Sequence, residues 1–187
     1  MPTTLGGDGV TFTSGAKSTR SRAVIKHRVC SATTVDQGLQ SGGWDFINGA
    51  EIDMGVPSKS NNWYRIEYYT CGDDWGGSNG GWGYAVYRWT PSSNWNRLAD
   101  QGWHAQYENN AGDFYTSGTG LYFISVHPTY PTEQHIFRLY GRRHPDVAFR
   151  VNSGIGADLR RDGWQNNLFE VYELDGDIVD NGNITRY

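Results

Sequence analysis

The chain of 187 residues carries a formal net charge of −4, with 25 Gly, 12 Tyr, 8 Trp and 7 Phe against 2 Met and 6 Pro. A chain of this length forms one domain and buries about 70% of the surface it exposes when unfolded, so it needs no staple. The near balance of charge argues against nucleic acid as an obligatory partner, and no run approaches the about 18 apolar residues of a membrane span.

Tyr, Trp and Phe are strand formers and Gly marks turns and bulges, so the composition predicts β structure. In chain order, residues 5–21, "LGGDGVTFTSGAKSTRS", alternate Val10 and Phe12 with Thr11 and Thr13 before a turn at Ser14-Gly15. This reads as one short strand with no neighbouring apolar run to pair with, and it sets residues 1–21 apart from a body over 22–187. "MPTTLGGDGV" has no basic segment followed by an apolar core, which predicts synthesis in a cytoplasm.

Alternation then recurs. Ala23, Ile25 and Val29 share one face of a strand, and "WDFING" with "EIDM" reads as two short strands or one strand bulged at Asn48-Gly49. In "NNWYRIEYYT", Tyr64, Ile66 and Tyr68 point one way and Trp63, Arg65 and Glu67 the other. "WGYAVYRWT", "WHAQY", "GLYFISV", "HIFRLYG", "DVAFRVN" and "NLFEVYEL" follow, each bounded by Gly, Asn, Asp or Pro; a short helix fits only near "NWNRLAD". Nine or ten strands at this spacing make a sandwich or barrel. "WGYAVYRWT" and "GLYFISV" are apolar on both faces, which predicts a face covered by a loop or by another copy.

The chemistry-bearing residues form no catalytic or metal-binding motif. His27, His104, His127, His135 and His144 lack ligand spacing, Cys30 and Cys71 form no CxxC pair, and no GxSxG elbow occurs. "LDGDIVDNG" fails the calcium-loop pattern because Val179 stands where an oxygen ligand is needed. No cofactor and no enzymatic activity are predicted. The loop "CGDDWGGSNGGWG" sets Trp75 beside Asp73 and Asp74, a combination suited to sugars, whose C–H faces stack on rings while hydroxyls bond to carboxylates. Residues 137–161 hold six arginines, among them Arg138, Arg142, Arg143 and Arg150, and residues 170–180 hold five acids and no base. With Trp82, Tyr87 and Trp89, these arginines are the candidate subunit interface, and the acidic segment is a candidate counterpart.

"GVTFTSGAKSTRS" resembles strand–turn motifs of the form I-x-F-x-x-G-x-x-x-S/T in bacteriophage tail-fibre and appendage proteins. The body, through "RLYGRRHPDVAFRVN" and "GWQNNLFEVYELD", is similar to jelly-roll domains of phage virion proteins, those of marine cyanophages in particular. The resemblance implies an all-β, jelly-roll-like β-sandwich with a short N-terminal extended arm. It implies a homotrimeric short fibre, knob or appendage tip in the virion, mounted on other virion proteins through Val10 and Phe12 and touching host surface glycan. A capsid decoration protein, or a free carbohydrate-binding module or lectin, are the alternatives.

Overall fold

The computed structural model describes residues 5–6, 9–10, 24–32, 37–74, 80–106, 114–143, 149–151 and 167–178. Two short strands, β1 (Leu5–Gly6) and β2 (Gly9–Val10), come first, then β3 (Val24–Ala32), β4 (Gln37–Gly38) and β5 (Asp45–Gly55). They are followed by β6 (Trp63–Asp74), β7 (Gly80–Thr90), β8 (Asn94–Gln106) and β9 (Phe114–Ser125). Then come β10 (His135–Arg143), β11 (Phe149–Val151), β12 (Asn167–Leu174) and one helical turn over Gly176–Ile178.

The strand at Val10 has a partner after all: it pairs antiparallel with Leu5, so it is half of a tight local pair. Phe12 lies outside the described residues. The segment that could have been a helix, "NWNRLAD", opens β8 instead, with Asn94 leaving the preceding turn at φ 58°.

Of the eight long strands taken in chain order, the first (β3) pairs the last (β12), and β5 pairs β10. β6 pairs β9, and β7 pairs β8. β12 also pairs β6 and β10 also pairs β7, which gives two antiparallel sheets, β3-β12-β6-β9 and β5-β10-β7-β8. This nested pairing is the jelly roll, as the resemblance implied. β11 and β4 extend the first sheet, β11 pairing the last residues of β6 beyond the end of β12.

Period-two alternation fills the interior. β6 buries Tyr64, Ile66 and Tyr68, β10 buries Phe137 and Leu139, and β12 buries Phe169 and Val171. β5 buries Ile47, then Ala50, Ile52 and Met54; the skipped step falls at Asn48-Gly49, where Gly49 has φ 84° and the pairing with β10 shifts register. The bulge is where the sequence placed it. Gly120 on β9 lies under the Tyr68 ring, so a Cβ there would overlap a ring carbon.

Polar groups close one end of the sandwich. The buried Glu173 Oε1 accepts bonds from Ser58 N (2.7 Å), Ser58 Oγ (2.9 Å) and Asn62 Nδ2 (2.6 Å). Asn62, also buried, accepts from Gly176 N through Oδ1 (3.2 Å) and from Val126 N through its carbonyl (2.9 Å). These two residues tie the β5–β6 connection to the ends of β9 and β12, the β9 end through the Asn62 carbonyl. Replacing Glu173 by Ala leaves the Ser58 and Asn62 donors without their acceptor and should cost about 1–3 kcal/mol, measured as a fall in urea midpoint.

Nearby, Tyr64 Oη and His135 Nδ1 share a bond of 2.8 Å, and Arg88 Nη1 donates to Ser125 O at 2.9 Å. Burial, reinforced by the charge of Arg88, pushes His135 down to about 4. An unfolded histidine titrates near 6.5, so between about pH 6.5 and pH 4 the unfolded chain holds a proton that the folded chain refuses. Stability present above pH 6.5 should therefore fall as the pH drops toward 4, by up to about 3 kcal/mol, and His135→Gln should flatten that dependence in urea unfolding.

Candidate functional site

The two outer faces of the sandwich differ in kind. On the four-stranded sheet, register aligns Asp53, Ile136, Trp89 and Trp95 in one row. The next row reads Glu51, Arg138, Tyr87 and Arg97, and the third brings Phe46 beside Tyr140 and Ala85. The Arg138 guanidinium lies 4.6 Å from the Phe46 ring centre and 4.1 Å from that of Trp95, and its Nε is 2.5 Å from Glu51 Oε2. Trp44 has Arg142 at 4.7 Å and Arg97 at 5.8 Å. Tyr87 and Tyr140 rings are 4.2 Å apart. The face is thus covered by its own interleaved rings and guanidinium groups, all half-buried apart from the exposed Arg97 and Glu51 at its sides.

Tyr87, Trp89, Arg138 and Arg142, four of the seven candidate interface residues, meet in this layer. Arg143 does not; it turns to the other side of β10 and donates from Nε to Leu39 O at 2.6 Å. Trp82 belongs to β7 and Arg150 to β11 of the other sheet, where Arg150 pairs Asp73; their side chains lie outside the described part. Asp73 and Asp74 are the last residues of β6, paired with β9 and β11, and Trp75 is outside the described residues. Within the chain the acidic segment finds other partners. Asp175 and Asp177 bind Lys59 at 2.9 and 2.8 Å, and Glu170 binds His27 at 3.2 Å.

The outer face of the β3-β12-β6-β9 sheet carries Ile25 and Val29 on β3, Tyr69 on β6, and Leu121 and Phe123 on β9. These are five of the six exposed large hydrophobic residues among those described, with Leu121 at 56% and Val29 at 51% exposure. Between the two apolar margins runs a charged centre. Arg65 Nε is 2.7 Å from Glu67 Oε1 and its guanidinium lies 4.0 Å over the Tyr172 ring, which stacks on His27 at 4.0 Å. Tyr172 donates its hydroxyl to Glu170. The two-faced reading of "GLYFISV" anticipated Leu121 and Phe123; the partners that β3 and β12 bring alongside are set by strand order, which no local pattern encodes.

Among the described residues, no group of three His, Cys, Asp or Glu side chains is placed to hold a metal ion. No protein-family model matches the chain and no curated protein matches it. The fold is similar to a chain in the structure of the infectious bursal disease virus Gx strain, with 10% identity and a TM-score of 0.33 over 97% of this chain and 48% of that one. This chain therefore spans about half the length of that neighbour, and so low a score adds nothing to the topology described above.

Arg138→Met would keep the apolar stem and lose both ring contacts and the Glu51 bond. It should lower stability by about 1–2 kcal/mol, and Glu51→Gln alone by less than about 1 kcal/mol, in thermal or urea unfolding.

Proposed function

We infer that the chain is a virion structural protein, a jelly-roll subunit that builds a particle or its appendage by packing sheet faces against its neighbours, and that it catalyses no reaction. The reading is supported by the gathering of Ile25, Val29, Tyr69, Leu121 and Phe123 on one outer face. Monomeric proteins scatter such residues singly; here they collect on one face around a charged centre, and such a concentration marks a surface that another molecule covers. The sequence resemblance supplies the finer form: a short fibre, knob or appendage tip mounted through residues 1–21, with a loop around Trp75 touching host glycan. A capsid decoration protein would present the same faces. A free carbohydrate-binding module would need a sugar site that stands without a particle.

Mass spectrometry of density-purified particles from the source culture should find this chain among the particle proteins. Its presence in the lysate but not in the particles would overturn the reading. A variant lacking residues 1–20 should keep its β-type circular dichroism and fail to enter particles, because pairing to an open sheet edge needs the backbone groups of the arm. Unfolding of the truncated chain would make those residues part of the sandwich.

A further inference from the structure

Register on the β3-β12-β6-β9 sheet places one outer row as Val29, Glu170, Glu67 and Leu121 and the next as His27, Tyr172, Arg65 and Phe123. We propose that this face binds a second copy of the chain, face to face, about a two-fold axis that lies in the interface, runs across the strands and passes between these two rows. The proposal rests on the assembly reading above only for the premise that protein covers the face.

A two-fold contact is isologous, so the surface must complement itself. About this axis each strand lies over its own copy and one row lies over the other. Glu67 then faces the partner's Arg65 and Leu121 faces the partner's Phe123. Val29 meets the partner's His27 ring and Glu170 meets the partner's Tyr172. Since Arg65 and Glu67 already pair within the chain at 2.7 Å, two copies would close a ring of four alternating charges. The other in-plane axis, along the strands between β12 and β6, would set Glu170 over the partner's Glu67, a like-charge contact. Charge complementarity therefore selects the first axis.

Strands of this length at sheet spacing give a face about 35 Å long and about 15 Å wide, or about 1,000 Å² for two copies. That is the lower bound for a specific contact, so the dimer should be a weak one that further contacts in an assembly reinforce. The aligned stacking of two sheets, about 10 Å apart and within about 30° of parallel, accommodates side chains of this size.

Sedimentation equilibrium of the full chain from about 1 to about 100 µM should show a reversible monomer–dimer system. Arg65→Glu makes the ring of four charges all acidic and Glu67→Arg makes it all basic, so each variant alone should dimerise about tenfold or more weakly. Mixed together, the two variants should dimerise again, a rescue that damage within one chain cannot produce. Phe123→Asp should also weaken the dimer while leaving circular dichroism unchanged. A monomer at every concentration, or single variants that do not recover on mixing, would overturn the proposal. A trimer would overturn the two-fold pairing while leaving the virion reading intact. A fall in melting temperature for Phe123→Asp without a change in mass would mean that the chain itself covers this face, and would overturn the proposal as well.

Discussion

A two-layer sandwich has one interior and two outsides, and strands with large apolar residues at both parities overfill the interior. That constraint shapes this molecule more than any single bond. Tyr64, Tyr84, Phe137 and Phe169 occupy the shared core, and the remaining aromatic and aliphatic side chains must be accommodated outside it. The two sheets answer differently. The four-stranded one lays arginines between its rings, so that guanidinium groups keep contact with water while their planes cover aromatic surface. On its outer face the other sheet sets Arg65, Glu67 and Glu170 on the central strands and leaves apolar side chains bare along β3 and β9.

The polar groups inside the sandwich follow the same logic of completeness. Glu173 and Asn62 are fully withdrawn from water, and each is met by several donors or acceptors. Their burial is tolerable because hydration is replaced bond for bond. Arg88 is less well supplied: among its described contacts it has one carbonyl, that of Ser125, and no carboxylate, and its desolvation lowers its affinity for a proton. His135 stays neutral partly because that cation is close.

Much of the sandwich was legible in the chain, for a physical reason. Burial on one side of a sheet enforces a period of two, so Tyr64, Ile66 and Tyr68 separate visibly from Trp63, Arg65 and Glu67, and the bulge shows as a break in phase at Asn48-Gly49. β8 was harder, because Trp95, Leu98 and Ala99 are spaced as on a helix and the register slips between Val86 and Tyr87 of its partner strand disguise the alternation. The outer faces were half legible. Tyr87, Trp89, Arg138 and Arg142 belong to strands whose second face is plainly apolar or basic. Trp44, Phe46, Trp95 and Glu51, which complete that layer, come from β5, β8 and the segment leading into β5, and only the order β5-β10-β7-β8 brings them together. Glu173 and Asn62 carry no local signal, since a buried acid and a solvated one look alike until the fold surrounds them.

The nested pairing also ranks the strands by the entropy of bringing them together. β7 and β8 are joined by the residues 91–93 alone and can meet by a short turn, whereas β6 must wait for β9, β5 for β10, and β3 for β12 near the far end of the chain. Each step outward closes a longer loop and lowers the rate at which the contact forms by chance. The Glu173–Asn62 clasp belongs to the outermost step, so it cannot hold anything until nearly the whole chain is present. A ribosome releasing this protein would leave the facing edges of β3 and β6 unpaired until β12 emerges, and β12 is the strand that inserts between them.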